Sequence, residues 1–206
     1  MFSSRIDAGR QLAQELVRRH VRADLVLGIA RGGVVVAAEI TKYLHFPLDV
    51  VVVKKLEAPT NSELAIGALT YKDATYIDEN LASTVDADKH FIADEVKKKH
   101  HEFLERERLL RNGKPPPVVE NKCVLVVDDG VATGATCKAT VEWLRKEKVK
   151  RIILALPVAP FDSIKELSSL VDEYVILEEP KNFQAVGEFY KDFREVQDEE
   201  VITLLS

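Results

Sequence analysis

The 206-residue chain is short of cysteine, of long apolar runs and of positive charge, and each shortage removes a class of protein. Cys123 and Cys137 are too few for a disulfide framework and lack the spacing of a metal site. No apolar run reaches the ~18 residues that cross a bilayer, so no membrane is expected as a partner. The start, MFSSRIDAGRQ, has no apolar core behind a basic stretch and does not read as a signal peptide. A reducing, cytoplasmic setting is therefore expected. Net charge is −5, which gives no general attraction to nucleic acid or anionic lipid. Nucleic acid is not expected as a partner, and any anionic ligand must be held by local donors, local cations or a metal ion. The five histidines form no ligand pattern, and there is no internal repeat or low-complexity segment. What is present is 46% hydrophobic residues and 31% charged ones, enough for one substantial core.

The pattern alternates strands with helices. Ser4–His20 carries Ile6, Leu12, Ala13, Leu16 and Val17 at helical spacing, with Ser4 and Asp7 as a capping pair. Asp24–Ala30 and Leu48–Val53 are unbroken apolar runs, read as buried strands. Between them, a turn at Arg31-Gly32-Gly33 leads into a helix over Val34–Leu44. Pro59, Asn61 and Ser62 mark a loop, and Ala65–Leu69 and Ala74–Ile77 pair as short strands. A long charged helix spans Val85–Arg111, capped by Asp86 or Asp88 and stopped by Asn112-Gly113. Further strands fall at Lys122–Asp128, Arg151–Val158 and Tyr174–Leu177, and helices at Ala135–Glu147, Phe161–Leu170 and Asp198–Leu205. Apolar strands without a period of two imply an α/β fold, with a central mainly parallel sheet flanked by helices. Residues 1–206 are expected to form a single domain, with 178–206 outside the alternation as a lid or dimer contact.

Ligands of such sheets bind beyond the carboxyl ends of the strands. There the sequence reads Val126-Val127-Asp128-Asp129-Gly130-Val131-Ala132-Thr133-Gly134-Ala135-Thr136. The small residues allow a ligand close to the backbone, and the helix that follows points free N–H groups into the turn, a ready anion site. Two carboxylates beside an anion site need a reason. A sugar diol donating to both supplies one, and Mg²⁺ near the same hydroxyls would offset the remaining charge. The P-loop spacing is absent, because Gly130 and Gly134 stand too close and Cys137 precedes Lys138. No G-x-G-x-x-G follows a strand.

VVDDGVATGAT closely resembles the 5-phosphoribosyl-1-pyrophosphate (PRPP) signature of type I phosphoribosyltransferases. The resemblance implies that Asp128 and Asp129 hold the ribose 2′ and 3′ hydroxyls. It implies that Gly130, Ala132, Thr133, Gly134, Ala135 and Thr136 cradle the 5′-phosphate. A metal at Asp128 and Asp129, through ribose hydroxyls or water, would be Mg²⁺. Gly28–Gly33 resembles the family's pyrophosphate loop, which often holds a non-proline cis peptide. Arg31, Gly32, Gly33 and a basic residue at Lys54 or Lys55 then face the pyrophosphate. A small hood and a β-flap complete the implied fold. The hood falls on Glu178–Gly187, where Phe183 is placed to stack on an aromatic acceptor. Phe189, Tyr190 and Phe193 are read as packing residues of the lid or of a dimer contact. Arg106, Arg108 and Arg111 are weighed as a basic loop over the pyrophosphate and as a solvated helix face, the latter preferred. Arg31-Gly32-Gly33, Lys54–Leu69 and the tail also resemble an uncharacterised branch of predicted phosphoribosyltransferases.

The function implied is transfer of the phosphoribosyl group from PRPP to a nitrogen acceptor, a nucleobase first, with release of pyrophosphate. A homodimer is implied by analogy. Ala132 stands where hypoxanthine–guanine enzymes carry an Asp near the purine, so that base is not available to this chain. Two alternatives are a PRPP-binding regulator without turnover and a PRPP or phosphosugar hydrolase.

Overall fold

The computed structural model describes Met1 to Ser206, the side chain of Glu63 excepted. Five strands form a parallel sheet in the order β2-β1-β6-β7-β8. They are β1 (Leu25–Ile29), β2 (Leu48–Val51), β6 (Cys123–Val127), β7 (Arg151–Val158) and β8 (Glu173–Glu178). Alternate residues of each strand feed opposite faces, and both faces are buried. On one face Val26, Leu125, Val127 and Ile153 meet Leu12, Ala13 and Leu16 of α1 (Arg5–Arg18) and Val36, Ala37 and Ile40 of α2 (Gly32–Leu44). On the other, Leu27, Val124, Val126 and Leu154 meet Val141, Trp143 and Leu144 of α5 (Ala135–Lys146). Phe103 and Leu110 of α4 (Lys89–Arg111) join the same cluster. This two-sided burial is why the strands read as unbroken apolar runs, and the α/β expectation is borne out.

Several local expectations change. In α1, Ser4 accepts from the Asp7 N–H and Asp7 accepts from the Ser3 N–H, so the capping pair is present. Ile6 and Val17 are nevertheless exposed, because the buried stripe runs through Ala8, Gly9, Leu12, Ala13 and Leu16. Helix α4 is capped by Asp88, whose carboxylate accepts from the Phe91 N–H at 2.7 Å. A short helix, α3 (Glu79–Thr84), precedes it, where no helix is predicted. The expected pair of short strands is three: β3 (Lys54–Ala58), β4 (Asn61–Leu69) and β5 (Thr75–Ile77), an antiparallel sheet in that order. It packs on α4 and α5 as a flap. Lys138 of α5 ties it down, donating to the Tyr76 hydroxyl at 3.0 Å and pairing with Glu166 of α6 (Phe161–Ser168).

Both chain ends build the hood. Phe2 bridges Tyr190 in parallel, its N–H donating to the Phe189 carbonyl at 2.7 Å while its carbonyl accepts from Lys191 at 2.9 Å. Phe2 and Tyr190 form a small apolar cluster with Leu177, Val186, Phe189 and Phe193. The tail then runs to α7 (Asp198–Leu204), which packs against α2 and α4. Among the described residues, no helix is long and apolar enough to cross a membrane.

Candidate active site

Strands β1 and β6 lie side by side at the centre of the sheet, and the chain leaves them toward different edges. This is the switch point at which open α/β sheets leave a crevice beyond their carboxyl ends. A cleft of about 330 Å³ opens there. Its walls are the segment after β1 (Ala30, Arg31, Gly32), the segment after β6 (Asp128–Thr136), Lys55 of the flap, and Val186 and Phe193 of the hood.

Asp128 is buried at the end of β6, and its Oδ1 accepts from the Asp129 N–H at 2.9 Å. Burial first, and the neighbouring Asp129 second, push its carboxyl well above the usual carboxylate range. Asp129 is held from two sides. Arg5 Nε lies 2.6 Å from its Oδ2, and the Tyr190 hydroxyl donates to its main-chain carbonyl. Burial also raises the Tyr190 phenol, with Asp129 next in effect, so Tyr190 keeps its proton for that bond.

The turn after the carboxylates is braced rather than loose. The Val131 N–H donates to the Val158 carbonyl at 3.0 Å, and the Ser163 hydroxyl donates to the Ala132 carbonyl. Gly134, at φ 78°, occupies the left-handed region and starts α5. The first N–H groups of α5 have no partner within the helix and lie beside exposed Ala132 and Thr133. Cys137 sits in this first turn but is fully buried, and burial pushes its thiol well up. It is a packing residue.

The segment after β1 differs from a free turn. The Ala30–Arg31 peptide is cis, and α2 begins at Gly32. The glycines serve close approach. A Cβ on Gly32 would overlap the Asp129 carboxylate, and one on Gly33 would stand 2.6 Å from the Val127 carbonyl and 2.8 Å from Asp128 Cα. Arg31 lines the cleft, but its guanidinium pairs with Glu195 and lies 3.8 Å from Asp198.

The two lysines separate. Lys54 pairs with Glu102 of α4 at 3.2 Å, whereas exposed Lys55 lines the cleft. Helix α4 runs unbroken through all three candidate arginines, so they do not form a loop. Arg106 pairs with Asp198, Arg108 is exposed, and Arg111 is buried against Asp49 at 2.5 Å. Arg111 therefore departs from the expected solvated face.

The hood residue is also different. Phe183 stacks on Phe189, with centroids 5.6 Å apart and planes 15° apart, and the cleft wall is made by Phe193 instead. The Arg5 guanidinium lies 3.8 Å from the Phe193 ring centroid. Sequence reasoning thus placed Val186 in the hood and read Tyr190 and Phe193 as packing residues of the lid or of a dimer contact, and it missed Arg5 altogether. Arg5 stands 124 positions from Asp129, and no local pattern could have linked them. The aromatic run Phe189, Tyr190, Phe193 was the one available signal.

Comparison with known proteins shows the family. Residues 3–194 match the phosphoribosyl transferase domain family. Two Mycobacterium tuberculosis proteins, of strains CDC 1551 and H37Rv, each named "Putative phosphoribosyl transferase", are 37% identical over 205 residues. The match takes in 100% of this chain and 46% of each relative, so the chain spans about half their length. A crystal structure of a Thermus thermophilus protein is 36% identical, with a TM-score of 0.82 over 99% of this chain and 97% of that one. The chain belongs to the phosphoribosyl transferase domain family.

Proposed function

We propose that this chain transfers the 5-phosphoribosyl group of PRPP to a nitrogen acceptor, a nucleobase first, and releases pyrophosphate. One observation carries the reading. A buried carboxylate and its neighbour, Asp128 and Asp129, stand at the end of β6 and share one cleft with the N-terminus of α5. Carboxylates suit a diol, and helix N–H groups suit a phosphate. One short turn, residues 130–134, separates the two.

In this reading Asp128 and Asp129 accept from the ribose hydroxyls, and Gly130–Thr136 hold the 5′-phosphate, with the Thr133 and Thr136 hydroxyls as added donors. Both anchors fix the sugar, so that the acceptor nitrogen meets C1 in line with the leaving group. The nitrogen's lone pair forms the new bond at C1. The C1–O bond to pyrophosphate breaks with its electron pair on that oxygen, and the configuration inverts. Arg31, Lys55 and the Gly32 and Gly33 amides face the charge that grows on the pyrophosphate. The donor set fits Mg²⁺. Asp128 and Asp129 would hold this ion through the ribose hydroxyls or water, the oxygen of Asp129 free of Arg5 being the sugar's. When bound, Mg²⁺ would neutralise charge on the pyrophosphate. Phe193 and Val186 form the apolar wall for the acceptor. The reading takes 1–206 as one working unit with 178–206 as its lid. It extends to a homodimer by family analogy and to the cytoplasm from the two free cysteines.

The test is to incubate the protein with PRPP, Mg²⁺ and a panel of nucleobases and amines. Pyrophosphate release that requires one acceptor class is expected. Release without any acceptor would instead make the protein a hydrolase, and binding without release a regulator.

A further inference from the structure

We infer that Arg5 is a positioning residue of the ribose site, fixing Asp129 so that a single carboxylate oxygen faces the sugar diol. The inference rests on the phosphoribosyl reading above and adds a residue that lies outside the signature segment. Arg5 opens α1 and reaches across to the end of β6, where Nε meets Asp129 Oδ2 at 2.6 Å. Both side chains are largely shielded, at 11% and 15% exposure. The ion pair is thus not the solvent-screened surface kind that contributes little.

Arg5 is itself fixed on two further sides. Its Nη1 donates to the Arg194 carbonyl at 2.8 Å, and its guanidinium plane lies over Phe193 at 3.8 Å. Planar guanidinium can donate along one edge while stacking by its face, which an ammonium cannot do. On the remaining side, Gly32 leaves room for the pair, since a Cβ there would stand 2.8 Å from Arg5 Nε. Helix α1, helix α2, strand β6 and the hood therefore meet on one carboxylate. With Oδ2 engaged, Oδ1 is the oxygen left for the sugar, and the 2-hydroxyl, the group that 2-deoxyribose lacks, is assigned to it.

The charge balance has the same sense. Asp128 and Asp129 are adjacent acids, and Asp128 is buried. Arg5 offsets the charge of Asp129 from outside the cleft lining, with its guanidinium against the Phe193 ring that helps form the cleft wall. The pair can then remain side by side before any sugar arrives.

The test compares ribose 5-phosphate with 2-deoxyribose 5-phosphate, by calorimetry on the full chain, for the native protein, Arg5→Met and Arg5→Lys. A fold defect would weaken both ligands together, whereas loss of the positioned oxygen affects only the ligand with the complete diol. The native protein is expected to prefer ribose 5-phosphate by about tenfold, the scale of one hydrogen bond to a charged group. In Arg5→Met the preference is expected to fall to roughly twofold or less, with 2-deoxyribose 5-phosphate binding unchanged. Arg5→Lys is expected to recover part of the preference, since charge returns without the stacked fork. A full preference in Arg5→Met would overturn the role of Arg5 and leave the phosphoribosyl reading standing. Failure of the native protein to bind either sugar phosphate would overturn both.

Discussion

Asp128 shows how a single residue can be costly to the fold and useful to the site. Its carboxyl is held above its ordinary range by burial and by Asp129. An acid raised in this way favours the protonated form in the fold. Stability is then greatest below the unfolded value of about 3.9 and falls as pH rises from there through the folded pKa. Asp128→Asn keeps the oxygen that accepts from the Asp129 N–H and removes the buried charge. It is expected to melt a few degrees higher than the native protein at pH 7, about the shift that 1 kcal/mol gives a chain of this size. The gain should shrink toward zero near pH 3, while PRPP binding is lost at neutral pH. Thermal melts at the two pH values check this, and a lower melting point at pH 7 would contradict it. Gly32→Ala sets two effects against each other. Alanine gains about 1 kcal/mol of helix propensity over glycine, yet its Cβ would overlap the Asp129 carboxylate. Near-native stability with PRPP affinity reduced at least tenfold is expected, from melts and calorimetry on the same sample. Native affinity would show that the Arg5–Asp129 pair can move aside freely.

At the scale of elements, legibility followed burial. The strands Leu25–Ile29, Cys123–Val127 and Arg151–Val158 were plain in the sequence because both faces are covered. The flap strand Lys54–Ala58 was not, since KKLEA is charged and gains its strand form only by pairing with β4. Helix α3 is six residues long, too short for a periodic pattern. The Gly32-Gly33 pair read as a turn because glycine is a poor helix former, and packing against Asp128 and Asp129 overrides that preference. The segment leading into α7 carries a testable consequence. Glu195 and Asp198 hold Arg31, which in the proposed function faces the pyrophosphate. Glu195→Gln combined with Asp198→Asn is expected to tighten pyrophosphate binding roughly twofold to fivefold, because exposed ion pairs are worth up to about 1 kcal/mol. Direct calorimetric titration with pyrophosphate in Mg²⁺ reports it. Unchanged affinity would mean that these carboxylates do not restrain Arg31.

Over the whole molecule, the signature segment could be read in sequence because its parts are consecutive: strand end, carboxylates, turn and helix start. The rest of the site is tertiary. Arg5 comes from the first helix, and Tyr190 and Phe193 from the tail, and they meet where the residues before that helix pair with the tail, as Phe2 does with Tyr190. Phe183 is likewise placed by a tertiary contact, since its ring stacks on Phe189 while Phe193 lines the cleft. The architecture places one acid pair, its first member buried, and one helix start on a common cleft, and the central claim is that this cleft is a PRPP site. Calorimetric titration of PRPP in Mg²⁺ into the native protein and into Asp128→Asn combined with Asp129→Asn tests that claim most directly. Saturable binding to the native protein and none to the double variant is the expected result, and equal affinity for both would contradict it.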